Sequence, residues 1–600
     1  MIRQTIIEVF QQNVEKFGQQ PFVYHKQAAG NSYSPVSWQQ LSEMTQEFAA
    51  GLINIGMNPG DRLALLSFNC FEWIVADLGT FQAGGVNVPI YHTNTADQSV
   101  FIVNDAECKY VLVEDIVQLD KLVEKKSAIK QVEKVILVKG TVPRGQEDWV
   151  ISYNDLMDLG NRHRQKLDSE ITARKNSITT EKMATIVYTS GTTGPPKGCM
   201  ISHENIVKVL ASIDEMHNID ADTNLSLLVL PLSHFYPRVS GYYFNLFKGI
   251  PLALAESIDT FAENLVELKP TYFCCVPRIL EKVYARIQNA TEKGTAIQRM
   301  IFNWAMRVGR TKMQQEQTAG RQISLGLSFQ SLIADRLVFK KIRDRLGGRL
   351  SFVVSAGAPL LAEVGEFVYC LGIKVIEFYG LSESLGGTMT TLDVCRYGTV
   401  GKAMPGFEVK LADDGEILIR GNNFMGYYNN PEKTKEVLRN NWCYTGDVGL
   451  FDDEGFLKII DRKKDLIITS GGKNIAPQNL ENIVISQISL VSNAMVYGDM
   501  KNYLTILLTL DPEAVKEFAE ERGLISDNYE EILQHTKLTG HIQEQLDLVN
   551  SRLARFETLK KFVILPREFS MEDGEITPTL KLKRKAVKNK FKTLMESLYQ

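Results

Sequence analysis

Short apolar runs alternate with stretches of helical periodicity in the first part of the chain. Runs of the buried-strand type occur at Arg62–Ser67, Val86–Ile90 and Tyr110–Val113, whereas Phe71–Ala83 and Met200–Ile213 have apolar residues at the period of a helix. Strands that alternate with helices are typical of a mostly parallel sheet. The pattern therefore predicts an α/β fold, and the chain shows no fixed-period repeat and no low-complexity linker.

A dense group of hydroxyl and glycine residues follows the predicted strand Met183–Tyr188. Residues 188–198 read Tyr-Thr-Ser-Gly-Thr-Thr-Gly-Pro-Pro-Lys-Gly. The glycines allow close backbone approach to an anion, the hydroxyls can donate hydrogen bonds, and Lys197 adds a positive charge. A Walker loop needs glycine directly before its lysine and a hydroxyl directly after it, but Pro196 and Gly198 occupy those positions. We therefore expect a triphosphate-binding loop that is not of the Walker type.

A second candidate site lies at the ends of two consecutive strands. A strand, a helix and a second strand are predicted between residues 350 and 378, so the loops Ser355–Ala358 and Tyr379–Ser384 are expected at the same sheet edge. Small residues in the first loop allow a planar base to lie against the backbone. Tyr379 offers a ring for stacking, and Glu383 offers the hard oxygen ligand that Mg²⁺ prefers.

Two further polar residues follow strand-like runs. His234 comes with Phe235 and Tyr236 after the apolar run Leu225–Leu232, at the strand end where ligands bind in open α/β sheets. A turn or core histidine is the alternative interpretation. Asp447 follows a Thr-Gly pair, where a carboxylate can accept hydrogen bonds from two ribose hydroxyls. Aspartate after glycine is also ordinary turn chemistry.

Composition limits the class of protein. The chain has 600 residues, 44% of them hydrophobic and 23% charged, which is ordinary for a multidomain globular protein. A net charge of -4 argues against a nucleic-acid partner. The eight cysteines are scattered without C-x-x-C spacing, so neither a zinc site nor a disulfide framework is indicated. No apolar run approaches the roughly 18 residues that span a bilayer. We expect a cytoplasmic protein whose membrane contact, if it has one, is peripheral.

Residues 188–198 resemble the phosphate-binding signature of the acyl-adenylate-forming enzymes, which include acyl-CoA synthetases, luciferases and the adenylation domains of peptide synthetases. The strings around Tyr379–Glu383 and Asp447 resemble the adenine, metal and ribose motifs of this superfamily. Asp461–Glu481 resembles its hinge and hairpin motif, and Ile576–Lys585 resembles the long-chain version of its last motif. These ordered motifs make nearly the whole chain similar to the AMP-forming long-chain acyl-CoA synthetases.

The resemblance implies two domains. Residues 1–461 would form a large N-terminal domain of α/β subdomains, and residues 462–600 a smaller, mobile C-terminal α/β domain that pivots at Asp461–Lys464. A long, basic helical stretch at about 280–347 is similar to insertions in the long-chain branch of the family. One interpretation is a solvated insertion, and the other is an amphipathic surface that contacts anionic membranes.

The resemblance also implies roles for individual residues. Lys581 would be catalytic and bridge carboxylate and α-phosphate, while Glu383 and Thr189 would be catalytic residues that also hold Mg²⁺. The cofactor-binding positions implied are Thr189, Ser190, Gly191, Thr192, Thr193, Gly194, Lys197, Ser355, Ala356, Gly357, Ala358, Glu377, Phe378, Tyr379, Gly380, Leu381, Ser382, Asp447, Arg462 and Lys473. The substrate-binding positions implied are His234, Phe235, Tyr236, Gly357, Gly380 and Gly472.

These roles imply a ligase that uses ATP, Mg²⁺ and coenzyme A. A fatty carboxylate would attack the α-phosphate of ATP, and a thiol would then take the acyl group from the acyl-adenylate. CoA is the expected acceptor, and the phosphopantetheine of an acyl carrier protein is the alternative. From a different class, the chain could be a catalytically silent, membrane-associated acyl-binding protein. The presence of Lys197, Glu383, Asp447 and Lys581 favours an active enzyme.

Overall fold

The structure is a computed structural model that describes residues 4–26, 32–189, 195–317, 323–470, 473–524, 528–571, 573–577 and 581–600. In these residues a large N-terminal α/β domain is followed by a smaller C-terminal α/β domain, so the predicted fold class is confirmed. Each domain has its own cluster of buried apolar side chains.

Helices cover the faces of the sheets. In the described N-terminal domain they span Ile6–Phe17, Trp38–Asn54, Phe71–Gln82, Ala96–Asp105, Ile116–Glu124, Tyr153–Asn176, His203–His217, Phe235–Pro237, Phe244–Lys248, Phe261–Leu268, Pro277–Glu292, Ala296–Gln317, Leu325–Ala334, Lys340–Arg345, Ala362–Cys370 and Pro431–Val437. Short 3₁₀ or π segments span Lys126–Ala128, Arg238–Tyr243 and Asp335–Phe339. The described C-terminal helices span Pro477–Gln487, Pro512–Glu521, Tyr529–Gln534, Thr536–Asn550, Arg584–Lys590 and Lys592–Ser597.

The first sheet carries the phosphate loop at one side. Its strands in spatial order are Gly426–Tyr427, Lys197–Ser202, Met183–Thr189, Val86–Ile90, Arg62–Leu66, Tyr110–Val113, Lys134–Leu137 and Val150–Ser152. The strands from Met183–Thr189 to Val150–Ser152 run parallel. Lys197–Ser202 pairs antiparallel with Met183–Thr189, and Gly426–Tyr427 pairs antiparallel with Lys197–Ser202. The middle strands are continuous apolar runs because helices cover both faces of a parallel sheet.

The second sheet holds the other predicted strand-end loops. Its strands in spatial order are Lys402–Ala403, Gly387–Met389, Lys374–Gly380, Phe352–Ala356, Tyr272–Cys275, Ser226–Leu228, Leu252–Leu254, Pro21–Lys26 and Tyr33–Ser37. The strands Phe352–Ala356 and Lys374–Gly380 are parallel neighbours. The two loops that follow them therefore lie at the same edge, as predicted from the strand–helix–strand pattern.

A third, smaller sheet leads into the C-terminal domain. It contains the strands Glu408–Leu411, Glu416–Arg420, Leu438–Arg439, Trp442–Phe451 and Leu457–Arg462. The last strand pairs with Trp442–Phe451 in a register that sets Arg462 opposite Asp447. Beyond it, the C-terminal sheet consists of Val491–Tyr497, Leu504–Leu510 and Leu559–Ile564, and the pair Ile467–Ile468 and Asn474–Ile475 precedes it.

A buried ion pair joins the segment Arg238–Tyr243, directly after the predicted acyl residues, to the helix Phe71–Gln82. Arg238 and Asp77 form a salt bridge in which both side chains are fully buried, and Arg238 also donates to Thr185 Oγ1 at 2.8 Å. Tyr243 donates to Asp77 Oδ2 at 2.9 Å. Removal of one partner would leave a buried charge unpaired, which typically costs about 3–5 kcal/mol. The network therefore fixes the chain directly after Tyr236 against the first sheet.

One predicted helix begins later than expected. Met200, at the predicted start, lies in the strand Lys197–Ser202, which pairs with Met183–Thr189. The helix itself begins at His203, because the Ser202 side chain accepts the backbone N–H of Asn205 and caps its first turn. Periodicity alone did not show this cap.

Candidate active site

The phosphate loop joins two antiparallel strands of the first sheet. Thr189 ends one strand and lies opposite Lys197, which begins the other, and its hydroxyl donates to the Lys197 carbonyl at 3.4 Å. The predicted residues between them, Ser190, Gly191, Thr192, Thr193 and Gly194, lie outside the described residues. The described ends of the loop thus bring the Thr189 hydroxyl and the Lys197 ammonium to the same side of the sheet edge.

Tyr427 connects the loop lysine to the predicted metal ligand. Its hydroxyl donates to Glu383 Oε1 at 2.6 Å, and Lys197 Nζ lies 3.5 Å from the same hydroxyl and 4.5 Å from the centre of the ring. Tyr427 holds this position because its strand pairs with the loop strand, Tyr427 opposite Cys199. The pattern of the sequence did not predict Tyr427, since an aromatic residue after glycine carries no chemical signature.

Asp447 lies in a bulged strand rather than in an isolated turn. Gly446 has a φ of +70°, and the strand pairing shifts register between Val448 and Gly449. The bulge directs the Asp447 carboxylate toward two partners: the Tyr379 hydroxyl donates to Oδ2 at 2.8 Å, and Arg462 Nε lies 2.8 Å from Oδ1. The motifs predicted to bind adenine and ribose are therefore in direct contact.

Burial governs the protonation of this cluster. It raises the pKa of Tyr379 well above its ordinary value, so the hydroxyl keeps its proton and donates a hydrogen bond to Asp447. Burial also raises the pKa of Asp447, while the positive charge of Arg462 acts in the opposite direction. A carboxylate held by a hydroxyl and a guanidinium is a preorganised acceptor for vicinal hydroxyl groups.

The strand-end loops of the second sheet present backbone rather than side chains. Ser355 and Ala356 end their strand, and Gly357 follows with a φ of +90°, which strongly favours glycine. Ala358 is partly exposed beside it. Gly380 is required for space, because a Cβ there would lie within 2.9 Å of the Gly386 backbone. A planar ring can therefore approach these loops closely.

Glu377 differs from its neighbours on the same strand. Its side chain is buried, and its backbone N–H donates to Thr390 Oγ1 at 2.8 Å. Burial raises the pKa of Glu377 well above its ordinary value. The carboxyl is buried inside the protein rather than at the loop edge, and its predicted role in cofactor binding stays a prediction.

A cavity opens between the segment after Leu232 and the loop after Gly380. Its lining consists of His234, Phe235, Tyr236, Val239, Phe378, Gly380, Leu381, Ser382, Leu385 and Gly386. Most of these side chains are apolar, and Tyr236 closes one side because its hydroxyl donates to the carbonyls of Val354 at 2.7 Å and Cys275 at 3.2 Å. The predicted substrate and adenine residues therefore share one cavity with a mostly apolar lining.

His234 is a neutral donor at the entrance of this cavity. Its Nδ1 accepts the backbone N–H of Tyr236 at 3.1 Å, which leaves the ring proton on Nε2. Burial, together with the charge of Lys581, lowers the pKa of His234 to about 3. The ring therefore stays uncharged at neutral pH and can donate one hydrogen bond without competing for a proton.

Lys581, from the C-terminal domain, lies near enough to His234 and Asp447 for its charge to act on both. Its backbone is held by Thr577, whose side chain accepts the Lys581 N–H at 3.0 Å. Partial loss of hydration, together with the nearby Arg462, lowers the pKa of Lys581 to about 8.

Lys473 lies elsewhere in this arrangement. It is exposed, and its ammonium lies 5.8 Å from the centre of the Phe556 ring within the C-terminal domain. Gly472, predicted to act with it, lies outside the described residues. The face that carries Lys581 is therefore turned toward His234 and Asp447, and Lys473 remains a prediction for another arrangement of the domains.

Polar contacts hold the two domains in this arrangement. Lys293 pairs with Glu517 at 2.5 Å and Glu521 at 2.6 Å, and Arg278 donates to the Ser492 carbonyl. Lys293 follows the helix Pro277–Glu292, so the helical insertion, rather than the strand-end loops, supplies these contacts.

The residues fit the cofactors that the sequence implied. Glu383 is partly exposed, and its Oε1 accepts from a hydroxyl, so Oε2 can bind a cation. Among the described residues, no group of three or more His, Cys, Asp or Glu side chains could hold a metal by itself. Mg²⁺ commonly takes one or two carboxylates together with phosphate oxygens and water. The site therefore fits Mg²⁺ that arrives with a nucleotide.

Comparison with known families gives the same assignment. The AMP-binding enzyme family matches residues 10–428, and the AMP-binding enzyme C-terminal domain matches residues 464–600. This chain belongs to the AMP-binding enzyme family. The predicted membership of the acyl-adenylate-forming superfamily is thereby confirmed, and the two matched regions account for most of the length of this AMP-binding enzyme.

Individual relatives cover nearly the whole AMP-binding enzyme. A long-chain-fatty-acid–CoA ligase, FadD15 of Mycobacterium bovis, is 33% identical over 96% of this chain and 94% of its own length. The long-chain-fatty-acid–CoA ligase ACSBG2 of Xenopus laevis is 33% identical over 99% of this chain and 84% of its own length. These relatives show the family across both domains.

Solved structures share the fold. The adenylation domain of a carboxylate reductase from Mycobacterium chelonae superposes with a TM-score of 0.74 at 21% identity, over 99% of this chain and 91% of that one. The anthranilate CoA ligase AuaEII, in complex with anthranoyl-AMP, gives a TM-score of 0.72 at 17% identity, over 99% and 98%. At these identities the likeness concerns the fold of the AMP-binding enzyme alone.

Proposed function

We propose that this AMP-binding enzyme joins a long-chain fatty acid to coenzyme A through an acyl-adenylate. The observation that carries the proposal is that the charge of Lys581, from the C-terminal domain, acts on both His234 in the cavity lining and Asp447 in the ribose motif, because these residues come from two domains and three motifs. Relatives that are named as long-chain-fatty-acid–CoA ligases over the full chain support the choice of substrate.

In the first half-reaction, a carboxylate oxygen of the fatty acid attacks the α-phosphorus of ATP. The new bond is carboxylate O–P, the bond between the α-phosphorus and the bridging oxygen breaks, and pyrophosphate leaves with that electron pair. Lys581 in its ammonium form neutralises the charge shared by carboxylate and α-phosphate, and the neutral His234 can donate a hydrogen bond from its Nε2–H to the carboxylate. Lys197 lies on the pyrophosphate side.

The nucleotide is held by fixed groups around this centre. Asp447 accepts from the ribose hydroxyls, Arg462 orients Asp447, and the loops at Gly357 and Gly380 border the adenine. Tyr427 aligns Glu383, and the Thr189 hydroxyl donates to the Lys197 carbonyl on the paired strand. When Mg²⁺ is bound through Glu383 and Thr189, it supplies charge neutralisation for the phosphates. The other predicted residues of the phosphate loop remain part of this proposal.

In the second half-reaction, the thiol of CoA gives up its proton to solvent and its sulfur attacks the acyl carbon, the bond from that carbon to the phosphate oxygen breaks, and AMP leaves with that electron pair. The described cysteines do not take part, since all eight are free and buried. Burial raises the pKa of the Cys274 thiol to about 12, for example, so it stays protonated. The acyl group therefore passes from adenylate to CoA without an enzyme-bound thioester.

The second step requires the C-terminal domain to turn. In this proposal Lys581 must leave its place beside His234 before a thiol can approach, and Lys473, assigned to the thiol step, lies near Phe556 in the present arrangement. We place the pivot at Asp461–Lys464, between a domain of residues 1–461 and one of residues 462–600. The contacts across the domains are mostly polar, which is typical of interfaces that open and close.

The acceptor and the cellular location complete the proposal. CoA is the proposed acceptor, and an acyl carrier protein is the alternative. Among the described helices, none combines the length and the apolar character needed to cross a bilayer. We propose a cytoplasmic protein that contacts membranes peripherally, where long fatty acids partition, and that has no nucleic-acid partner.

The proposal is tested with the purified protein, Mg·ATP and saturated fatty acids from short to very long. Pyrophosphate, AMP and acyl-CoA are measured with and without CoA. We expect pyrophosphate with a long acid and acyl-CoA only when CoA is added. Adenylate without a thioester would select the carrier-protein alternative, and no adenylate with any acid would leave the silent acyl-binding protein as the remaining interpretation.

A further inference from the structure

The helix Leu325–Ala334 has apolar residues on two faces but lies at the surface. Its sequence, Leu-Gly-Leu-Ser-Phe-Gln-Ser-Leu-Ile-Ala, contains no charged residue. Leu327 and Ala334 are buried against the protein core. The polar residues of this helix are uncharged, and two of them, Ser328 and Gln330, are exposed. A surface helix usually carries charged residues on its water-facing side, and this helix has none.

The outward row consists of large side chains. Leu325, Phe329 and Leu332 are 91%, 64% and 69% exposed, and spacings of four and three residues put them on one face of the helix. Val117 and Leu548 are also large and exposed but lie alone on their helices, whereas Ile297 and Met300 form an exposed pair on the helix Ala296–Gln317. Scattered residues of that kind are common, but a row on an uncharged helix indicates a contact surface.

Basic residues follow directly in the chain. Arg336, Lys340, Lys341 and Arg345 are exposed, and no hydrogen bond or ion pair is found for their side chains among the described residues. Between residues 323 and 349 there are six Lys or Arg residues and two Asp residues, and one of the two, Asp335, is paired with Arg343. The surface around the apolar row is therefore positively charged.

We propose that this row, with the four basic residues beside it, is the surface through which the protein docks on an anionic bilayer. Apolar side chains flanked by Lys and Arg match the interface of such a membrane, where the chains enter the acyl boundary and the cations meet phosphate groups. The inference deepens the proposed peripheral contact by naming its surface and the charge of its lipid. The reason for docking, access to long fatty acids, rests on the proposed function, whereas docking itself needs no catalysis.

The test is sedimentation of the full-length protein with vesicles. The vesicles consist of phosphatidylcholine alone or of phosphatidylcholine with added phosphatidylglycerol. We expect binding to the anionic vesicles that weakens as salt is raised, and little binding to the neutral ones. Equal binding to both kinds, or none to either, would overturn the proposal.

Two sets of variants locate the surface. Combined Leu325→Ser, Phe329→Ser and Leu332→Ser should weaken vesicle binding roughly 100-fold, because three buried apolar contacts are lost. Combined Lys340→Gln and Lys341→Gln should weaken it roughly 20-fold, about fivefold for each charge. The matched control, Val117→Ser with Leu548→Ser, removes exposed apolar residues from other helices and should leave binding unchanged; an equal loss in the control would overturn the assignment.

Two further measurements separate the outcomes. Light scattering without vesicles tests whether the row instead joins two copies of the chain; a wild-type dimer that becomes a monomer in the serine variant would overturn the proposal. Circular dichroism melting verifies that each variant is folded. Pyrophosphate release from a dissolved fatty acid should be the same in all variants. Vesicle binding by a wild type without such release would support the docking surface and contradict the proposed function.

Discussion

The contacts within the N-terminal half of the site differ in kind from those between the two domains. Arg238 and Asp77 are fully buried, and the hydrogen bond from Tyr379 to Asp447 is also buried. Across the domains, Lys293 meets Glu517 through side chains that are 46% and 62% exposed. Loss of one partner of a buried pair typically costs about 3–5 kcal/mol, whereas an exposed pair contributes about 0–1 kcal/mol.

This difference indicates how one site can serve two reactions. The buried contacts fix the nucleotide and acyl residues with respect to each other, so they keep the same geometry in both steps. The exposed contacts hold Lys581 in place only weakly, so the C-terminal domain can leave without disturbing the rest of the site. The buried nucleotide and acyl residues of the N-terminal domain are the fixed part of the site, and the C-terminal domain with Lys581 is its detachable part. Variants in the two parts should have different effects.

The largest expected effect comes from the detachable part. Lys581→Ala removes the cation that neutralises carboxylate and α-phosphate, and we expect adenylate formation to fall about 1,000-fold. Thioester formation from added acyl-adenylate should change little, because Lys581 is then turned away. Single-turnover assays of each half-reaction measure the two rates. Lys583→Ala serves as control in the same segment. Equal losses in both half-reactions would contradict the assignment of Lys581 to adenylate formation alone.

A change in the fixed part should affect nucleotide binding. Asp447→Asn keeps the shape but removes the charge that meets Arg462 and the ribose, and two charge-assisted hydrogen bonds are weakened. We expect kcat/KM for ATP to fall about 100-fold. Initial rates at varied ATP measure it, with the exposed Asp453→Asn as control. An unchanged KM for ATP would show that Asp447 does not contact the nucleotide.

The pKa of Lys581 predicts a pH dependence for the first step alone. The ammonium form is present below a pKa of about 8 and is lost above it. In the free enzyme, kcat/KM for adenylate formation should therefore decrease about tenfold per pH unit above pH 8. Thioester formation from added acyl-adenylate should lack this decrease. A pH profile that is identical for the two steps would assign the titration to another group.

The smallest of these effects concerns the alignment of Glu383. Tyr427→Phe removes the hydroxyl between Glu383 and Lys197 but keeps the ring under the Lys197 ammonium. We expect Mg²⁺ to bind about tenfold more weakly, so that half-maximal binding of a fluorescent ATP analogue needs about tenfold more Mg²⁺. Tyr428→Phe is the matched control, since the Tyr428 hydroxyl meets Glu107 at the surface. Equal effects of the two variants would show that the Tyr427 hydroxyl does not align Glu383 for Mg²⁺ binding.

The sequence predicted those parts of the site that depend on local pattern. Strand ends and short motifs located Lys197, the loops around Gly357 and Gly380, and the segment His234–Tyr236, because such positions follow from strand direction and residue type. The resemblance to a family added Lys581, which lies more than three hundred residues from His234 in the chain. Its approach to His234 depends on how the domains pack.

Other features depend on pairing between distant segments, which pattern alone does not reveal. Tyr427 reaches Glu383 only because its strand pairs with the phosphate-loop strand. The start of the helix at His203 depends on the same sheet, since Met200 is drawn into a strand. The domain contacts of Arg278 and Lys293 likewise join residues that are more than two hundred positions apart. Sequence periodicity reports the local element but not its partner.

The most direct test of a detachable domain is to prevent its release. In a variant with Lys293→Cys and Glu517→Cys, a bis-maleimide can join the two new thiols across a contact that the wild-type side chains make at 2.5 Å. Background reaction is low because all eight natural cysteines are buried. The account predicts that the cross-linked protein still forms acyl-adenylate but makes no acyl-CoA, while the same variant treated with a mono-maleimide makes both. Acyl-CoA formation at the control rate by the cross-linked protein would contradict the account.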